Sequence, residues 1–318
     1  MFDDTSDIVP TWMPDPSILP SWFVDALSAP REEGFVVVDD VRMHYFRWGN
    51  PAAPPVIMTH GFLSHARCFA FVAPYLAENY HVVAYDLSGM GDSEVREDCD
   101  MEARGREMIG VARATGLFGH DRKPVIVAHS FGSAVALEAL SLAPNAFAGA
   151  VICDMMVIPP SRLDDLRSGG YASPGSGDPN RPHRRYPDYA SARERYVLSP
   201  PQPVGEPFLM DYMAYHSLRR DGDAWTWKFS PSVFKHDKAL GEPHESGRRL
   251  VAAPGRKAVI YGEKSLLFTR DSADYVRELG GIDIPIIAIP EARHHLMLDQ
   301  PLALVSALRA LLSAWSAA

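Results

Sequence analysis

Short apolar runs alternate along this chain with longer segments of helical periodicity. Runs rich in Val, Ile and aromatic residues predict strands at residues 34–38, 42–48, 56–59, 81–85, 125–128, 148–153, 258–261 and 284–289. Apolar residues spaced three or four apart predict helices at residues 67–78, 101–115, 133–143, 272–279 and 302–314. This alternation predicts an α/β fold, with a mostly parallel, doubly wound sheet of about eight strands. The first two runs, joined around Asp39 and Asp40, predict an antiparallel hairpin at one edge.

The alternation breaks between residues 157 and 245. This stretch opens with Pro159 and Pro160 and continues through a segment rich in Gly, Ser, Pro and Asp. It then becomes aromatic, in segments that we interpret as helical at residues 184–198, 208–218 and 224–234. A loop of this length is uncommon in a compact domain, so we predict an inserted helical cap. The predicted organisation is an N-terminal arm at 1–33, a first core part at 34–156, the cap at 157–245 and a second core part at 246–318.

Composition and charge narrow the classes of partner. The 318 residues are 47% hydrophobic, which suffices for one main domain with a large insertion. The net charge of −9, spread along the chain, argues against nucleic acid or an anionic membrane as a partner. The three cysteines are widely spaced and predict neither a disulfide framework nor a zinc site. Without an apolar leader or a long apolar span, we expect a cytoplasmic protein that acts on a small molecule, and we leave a homodimer open.

A candidate nucleophile lies in the segment VIVAHSFGSA at residues 125–134. A strand that ends at Ser130 and turns at once into a helix places the hydroxyl at the carboxyl edge of the sheet. The residues around such a bend must be small because its backbone nearly touches the neighbouring elements. Ala128 and Gly132 meet this requirement, in an AxSxG variant of the GxSxG nucleophile elbow.

Three further motifs extend the pattern: THGF at 59–62, DLSGMGDS at 86–93 and RHHLMLDQP at 293–301. With the serine elbow they make the chain resemble the α/β-hydrolase superfamily from about residue 34 to the C-terminus. The resemblance implies an oxyanion hole formed by the backbone N–H groups of Phe62 and Phe131. It also implies that His60 orients the THGF loop and that DLSGMGDS is a structural turn.

The resemblance further implies a histidine base seven residues before the proline of the C-terminal motif. Counting back from Pro301 gives His294. A register shift of one residue would make His295 the base instead; otherwise we expect His295 to pack or to line the pocket.

The acid departs from the usual family pattern. Most members carry it after the seventh strand, where this chain has YGEKS with Ser265 in the acid's place. Asp154, at the end of the sixth predicted strand, is the preferred candidate. Certain haloalkane dehalogenases and a resorcylic-acid lactone hydrolase resemble this arrangement. Glu263 and Asp271 remain alternatives, and Asp154 could instead only cap the first turn of the cap.

A serine nucleophile implies acyl transfer. We therefore expect a serine hydrolase of a carboxylic ester or lactone with a bulky apolar group, acting through an acyl-enzyme on Ser130, without a metal or organic cofactor. The residues expected to contact substrate are Leu63, Tyr212, Trp225, Trp227 and His295. Two alternatives stay open: hydrolysis of a carbon–carbon bond in a diketone-like substrate, and a non-hydrolytic ligand receptor, which only the Ser265 departure favours.

Overall fold

A central twisted sheet positions the candidate site. The computed structural model describes residue 12 and residues 15–97, 99–164, 177–240 and 245–316. Parts of the predicted arm and of the predicted cap therefore lie outside the described residues. The described strands are β1 (Arg31–Val38), β2 (Val41–Trp48), β3 (Pro55–Thr59), β4 (His81–Tyr85), β5 (Val125–His129), β6 (Gly149–Cys153), β7 (Leu218–Asp221), β8 (Ala224–Trp227), β9 (Arg256–Gly262) and β10 (Ile286–Ile289).

Eight of these strands form the main sheet, in the order β1-β2-β4-β3-β5-β6-β9-β10. β1 and β2 pair antiparallel, β2 also pairs antiparallel with β4, and the remaining pairs are parallel. Every residue of β3, β4, β5 and β6 is buried, as expected for central parallel strands covered on both faces. The predicted fold class and the edge hairpin are confirmed.

Helices cover both faces of the sheet. They are α1 (Ser21–Ser28), α2 (Ala73–Ala77), α3 (Met101–Ala114), α4 (Phe131–Leu142), α5 (Tyr189–Arg193), α6 (Pro207–His216), α7 (Glu245–Ala252), α8 (Arg270–Glu278), α9 (Leu296–Asp299) and α10 (Pro301–Ser316). α1, α2, α6 and α10 contribute to one buried apolar cluster, and α3, α4, α7 and α8 contribute to the other. The two clusters make the sheet doubly wound.

The structure corrects the helical interpretation of residues 224–227. Ala224–Trp227 is strand β8, paired antiparallel with β7. A two-residue connection joins them, and Gly222 within it has a φ of 62°, a value that glycine adopts without strain. Two signals for this hairpin were present in the sequence: Trp and Thr favour strands, and the dipeptide Gly222-Asp223 favours a tight turn between two strands. The excursion between β6 and β9 therefore contains a hairpin as well as helices.

The predicted helix at 67–78 is also interrupted. A 3₁₀ turn at Ala66–Phe69 precedes the short helix α2. Pro74 lies in the first turn of α2, where its missing N–H costs no helical hydrogen bond. In the interior of a helix that began before Ala73, the same proline would remove a hydrogen bond and its ring would clash with the preceding turn. A single helix across this segment is therefore excluded.

The described part of the N-terminal arm packs against the rest of the molecule. Phe23 of α1 is completely buried. Its ring lies 5.5 Å from that of Phe71, 4.9 Å from that of Phe208 and 5.6 Å from that of Tyr212. Phe23 thus contacts both the main body and helix α6 of the excursion.

Within the described ranges, none of the helices combines the length and apolar character needed to cross a membrane.

Candidate active site

Ser130 occupies a strained bend directly after β5, and α4 begins at the next residue. Its φ of 54° and ψ of −121° are rarely adopted by a residue with a side chain. The Ser130 N–H donates a hydrogen bond to the carbonyl of Cys153 at 2.9 Å, which holds the bend. A Cβ on Gly132 would lie 2.6 Å from the carbonyl oxygen of His60. A glycine at this position is therefore a steric requirement.

Ser130, His294 and Asp154 form one chain of hydrogen bonds. His294 Nε2 lies 2.9 Å from Ser130 Oγ. On the other side of the ring, His294 Nδ1 lies 2.8 Å from Asp154 Oδ1. Asp154 and His294 are buried, while Ser130 is partly exposed. The structure thus joins the predicted nucleophile, base and acid, with the serine at the accessible end.

Asp154 follows β6 and receives further hydrogen bonds. Its Oδ1 also accepts from the Ser265 hydroxyl at 2.6 Å, and its Oδ2 accepts from the Gly262 N–H at 2.8 Å. Burial raises the pKa of the Asp154 carboxyl, and the hydrogen bonds from His294, Ser265 and Gly262 oppose that shift. These donors favour the carboxylate form next to the imidazole.

Ser265 is a site residue whose contact the sequence did not predict. It stands where the resemblance places an acid, and instead it donates to the acid on the neighbouring strand. Its oxygen also accepts the N–H of Leu267 at 3.1 Å, which fixes the hydroxyl's orientation. The only sequence signal was that the ends of two adjacent strands each carried a polar residue.

The alternative acids lie away from His294. Glu263 is exposed, and its carboxylate accepts the Glu291 N–H at 3.3 Å. Asp271 is exposed in the first turn of α8. Among the described residues, the carboxylate hydrogen-bonded to His294 is that of Asp154.

The THGF loop lies against the nucleophile. A Cβ on Gly61 would lie 3.1 Å from the Cβ of Ser130. Phe62 follows Gly61 and Phe131 follows Ser130 in the chain, and the two phenylalanine rings are 5.4 Å apart. Phe131 is the first residue of α4, where a backbone N–H has no acceptor within the helix. Both predicted oxyanion-hole residues are therefore adjacent to the serine.

His60 connects this loop to the DLSGMGDS turn. Its Nδ1 donates to the Gly61 carbonyl at 2.7 Å, and its Nε2 accepts the Leu87 N–H at 3.0 Å. Burial lowers the pKa of His60, which keeps the ring neutral, as these two opposite roles require. These contacts support the structural role expected for His60.

The DLSGMGDS turn is organised by Asp86. Its Oδ1 accepts the Ala66 N–H at 2.6 Å, and its Oδ2 accepts the Asp92 N–H at 2.9 Å and lies 2.8 Å from His44 Nδ1. Burial opposes protonation of His44, but the hydrogen bonds with Asp86 and Glu33 outweigh it and raise the pKa of His44 to about 9. Asp86 and His44 therefore form a buried ion pair that supports the turn.

A cavity of about 410 Å³ is lined in part by His129 and His295, the chain neighbours of Ser130 and His294. Its lining is mainly apolar and aromatic, and it includes the predicted contact residues Leu63, Trp227 and His295. His129, which also lines it, donates from Nε2 to the His294 carbonyl at 2.9 Å. Burial lowers the pKa of His129 to about 3 and that of His295 well below its ordinary value, so both rings are neutral walls.

Tyr212 and Trp225 differ from the expectation of substrate contact. Neither belongs to the lining of this cavity. Tyr212 is 3% exposed and packs against Phe23 and Phe71, while Trp225 is 6% exposed and packs against Tyr189. Because these rings are enclosed by other side chains, the structure assigns both to packing.

The residues that could bind a metal ion form two groups in the described part of the chain. Their ligand atoms lie within 4.8 Å of one another in each group: His129, His294 and His295; and His44, Asp86 and Asp92. Both ring nitrogens of His294 already contact Ser130 and Asp154. The His44 group is engaged in the turn described above.

Comparisons with known proteins decide the family. The model of the alpha/beta hydrolase family matches residues 56–308, which is most of the chain. This chain belongs to the alpha/beta hydrolase family.

Individual relatives of this alpha/beta hydrolase are distant. It is 30% identical over 117 residues to the uncharacterized hydrolase YugF of Bacillus subtilis, a match that covers 36% of this chain and 41% of that protein. It is 27% identical over 192 residues to the lipase LipV of Mycobacterium tuberculosis, a match that covers 60% of this chain and 67% of that protein. The solved thioesterase domain from the curacin biosynthetic pathway superposes with a TM-score of 0.69 at 21% identity, covering 88% of this chain and 99% of that chain. The last match shows the shared fold.

Proposed function

We propose that this alpha/beta hydrolase cleaves a carboxylic ester or lactone through an acyl-enzyme on Ser130. The observation that carries the proposal is the continuous hydrogen-bond chain from the Ser130 hydroxyl through His294 to Asp154, with N–O distances of 2.9 and 2.8 Å. A serine hydroxyl is a weak nucleophile until a base accepts its proton. This geometry supports His294 as that base and Asp154 as the carboxylate that orients it.

In the proposed first half-reaction, Ser130 Oγ attacks the ester carbonyl and its proton passes to His294 Nε2. Asp154, which accepts a hydrogen bond from the Nδ1–H group, holds the ring in the required tautomer and stabilises the imidazolium that forms. His294 then donates the proton to the leaving oxygen as the acyl-enzyme forms. In the second half-reaction water attacks the acyl carbonyl while His294 accepts its proton. His294 then returns this proton to Ser130 Oγ as the acyl C–Oγ bond breaks, which releases the acid and restores the serine.

The developing oxyanion would accept hydrogen bonds from the backbone N–H groups of Phe62 and Phe131. Each such donor contributes about 3 kcal/mol to lowering the barrier in typical deletion experiments. The short approach of Gly61 to Ser130 supports this assignment because it brings the Phe62 backbone to the nucleophile.

The cavity beside the hydrogen-bond chain supports an apolar substituent on the substrate. Its volume of about 410 Å³ lies within the range of small-molecule sites, and Leu63, Trp227 and His295 are among its walls. A bulky apolar acyl or alcohol group would lose water-exposed surface on entering it.

The test is hydrolysis of p-nitrophenyl esters and aromatic lactones by the wild type and three variants. Ser130→Ala removes the nucleophile and Asp154→Asn removes the charge that stabilises the imidazolium. We expect each to lower kcat by at least about a hundredfold, since triad members act as a unit. Glu263→Gln, which changes an exposed carboxylate two residues from Ser265, is the matched control and should retain wild-type turnover.

Folding of every variant is checked by circular dichroism. If the wild type hydrolyses a vinylogous diketone but none of the esters or lactones, the proposal is contradicted in favour of carbon–carbon hydrolysis. Binding without turnover of any substrate would contradict it in favour of a receptor.

A further inference from the structure

A second cavity adjoins the one beside Ser130 and differs from it in charge. It has a volume of about 500 Å³ and shares three lining residues with the first cavity: Tyr186, Trp227 and Phe229. Arg181 and Arg184 line the second cavity. The two cavities therefore form adjoining compartments, one mainly apolar and one bearing guanidinium groups.

Two arginines of this compartment have no acidic partner in the described part of the chain. Arg185 and Arg193, on the same segment, form ion pairs with Asp221 and with Asp211. Arg181 and Arg184 form no ion pair with any residue that the structure describes, and both are exposed.

Two other charged groups belong to the compartments. Asp178 also lines the second cavity, and its carboxylate accepts the Asn180 N–H at 2.9 Å within a local turn. Arg195 lines the first cavity and, among the described residues, likewise has no ionic partner. Among the described residues of the two linings, the arginines outnumber the acids, with Asp178 as the one acid against Arg181, Arg184 and Arg195, in a chain whose net charge is −9.

A row of aromatic rings connects the charged compartment to the nucleophile. Phe229 and Phe234 both line the second cavity, and their rings are 6.0 Å apart. The ring of Phe234 lies 5.7 Å from that of Phe62, which in turn lies 5.4 Å from that of Phe131. These ring contacts run from the lining of the second cavity to Phe131, the residue that follows Ser130.

We propose that the substrate of this site carries a carboxylate or phosphate group, which binds Arg181 and Arg184 while an apolar group of the same molecule fills the first cavity. The inference rests on the proposed ester hydrolysis and adds a substrate class to it. Guanidinium groups match the geometry of both anions and bind them through charge-assisted hydrogen bonds. In an acidic protein, a local excess of unpaired arginines also attracts an anionic substrate selectively.

The first arm of the test uses aryl octanoates that differ only in their para group. These are para-carboxyphenyl, para-phosphonooxyphenyl and, as the neutral isostere of the carboxylate, para-carbamoylphenyl octanoate. The second arm places the anion on the acyl side, with the phenyl monoester of suberic acid and its terminal amide. We expect the anionic member of at least one arm to have a kcat/KM at least about fivefold higher, the size that one or two exposed ion pairs provide. This preference should shrink at high salt, which screens exposed charges.

Variants assign the preference to the arginines. Arg181→Gln combined with Arg184→Gln should abolish it and leave hydrolysis of the neutral esters unchanged. Arg185→Gln, on the same segment but in an ion pair, is the matched control and should retain it.

Equal kcat/KM for anionic and neutral esters in the wild type, or an unchanged preference in the double variant, would overturn this inference and leave the proposed ester hydrolysis standing. Failure to hydrolyse any ester, neutral or anionic, would instead overturn the proposed function and this inference with it.

Discussion

Asp154 and Ser265, at the ends of two neighbouring strands, are joined by a hydrogen bond next to His294. Asp154 contacts His294, and Ser265, at the position where the resemblance places the acid, donates to the same oxygen of Asp154. Motif spacing predicted Ser130 and His294, and the strand end predicted Asp154. The role of Ser265 was not predictable because it depends on the distance between two strand ends, which one sequence does not contain.

Moving the acid back tests this relation. In an Asp154→Asn background, Ser265→Asp should raise kcat at least about tenfold above that of Asp154→Asn alone. The reason is that the Ser265 Oγ, which the new carboxylate replaces, lies 2.6 Å from Asp154 Oδ1. The measurement is ester turnover by the single and double variants. Leu266→Asp in the same background is the control, because this neighbour is 76% exposed and should restore nothing. Equal activity of the two double variants would contradict the account.

Among the helices and strands, the elements predicted best are those whose sequence pattern reflects complete burial. The central strands are short uninterrupted apolar runs, and the structure has each of them within a few residues of its predicted bounds. Prediction failed where packing decides between alternatives: Ala224–Trp227 became a strand because β7 and Tyr186 offer it backbone partners. Tyr212 is likewise assigned by its surroundings, which belong to segments far apart in sequence.

The turn after β4 makes stability depend on pH. The pKa of His44 is raised from 6.5 to about 9 in the folded protein, mainly because Asp86 and Glu33 outweigh burial. A raised pKa contributes stability that is fully present below about pH 6.5 and is lost as pH rises through about 9. We expect the wild type to lose up to about 3 kcal/mol of unfolding free energy across this window, and a His44→Gln variant to lose much less.

Urea unfolding at a series of pH values measures the difference. His81→Gln is the control because burial lowers the pKa of His81 to about 4. This ring is therefore neutral across the whole window in the folded chain, and above about pH 7 in the unfolded chain. Parallel pH profiles for the wild type and His44→Gln would contradict the ion pair.

At the scale of the whole molecule, one aromatic cluster ties the arm, the main body and the excursion together. Phe23 contacts Phe71 of the body and Phe208 and Tyr212 of α6. The sequence predicted an N-terminal arm but not the surface on which it packs. Helix α1 of the arm and helix α6 of the excursion therefore pack on the same site of the main body, at Phe71.

Phe23→Ala should lower the unfolding free energy by about 3 to 5 kcal/mol, since it leaves a cavity in a fully enclosed site. Phe35→Ala is the control: its ring is 46% exposed, and we expect a loss below about 1 kcal/mol. Thermal and urea unfolding measure both. Similar losses for the two variants would contradict the anchoring role of Phe23.

The central claim is that Ser130 becomes covalently acylated, and the most direct measurement is the intact mass of the protein after reaction with a p-nitrophenyl alkylphosphonate, followed by peptide mapping. Such a reagent reacts with an activated serine and stops at the covalent stage. We expect a single adduct on Ser130, absent in Ser130→Ala and formed at least about a hundredfold more slowly in Asp154→Asn. An unmodified wild-type protein, or an adduct that persists in Ser130→Ala, would contradict it.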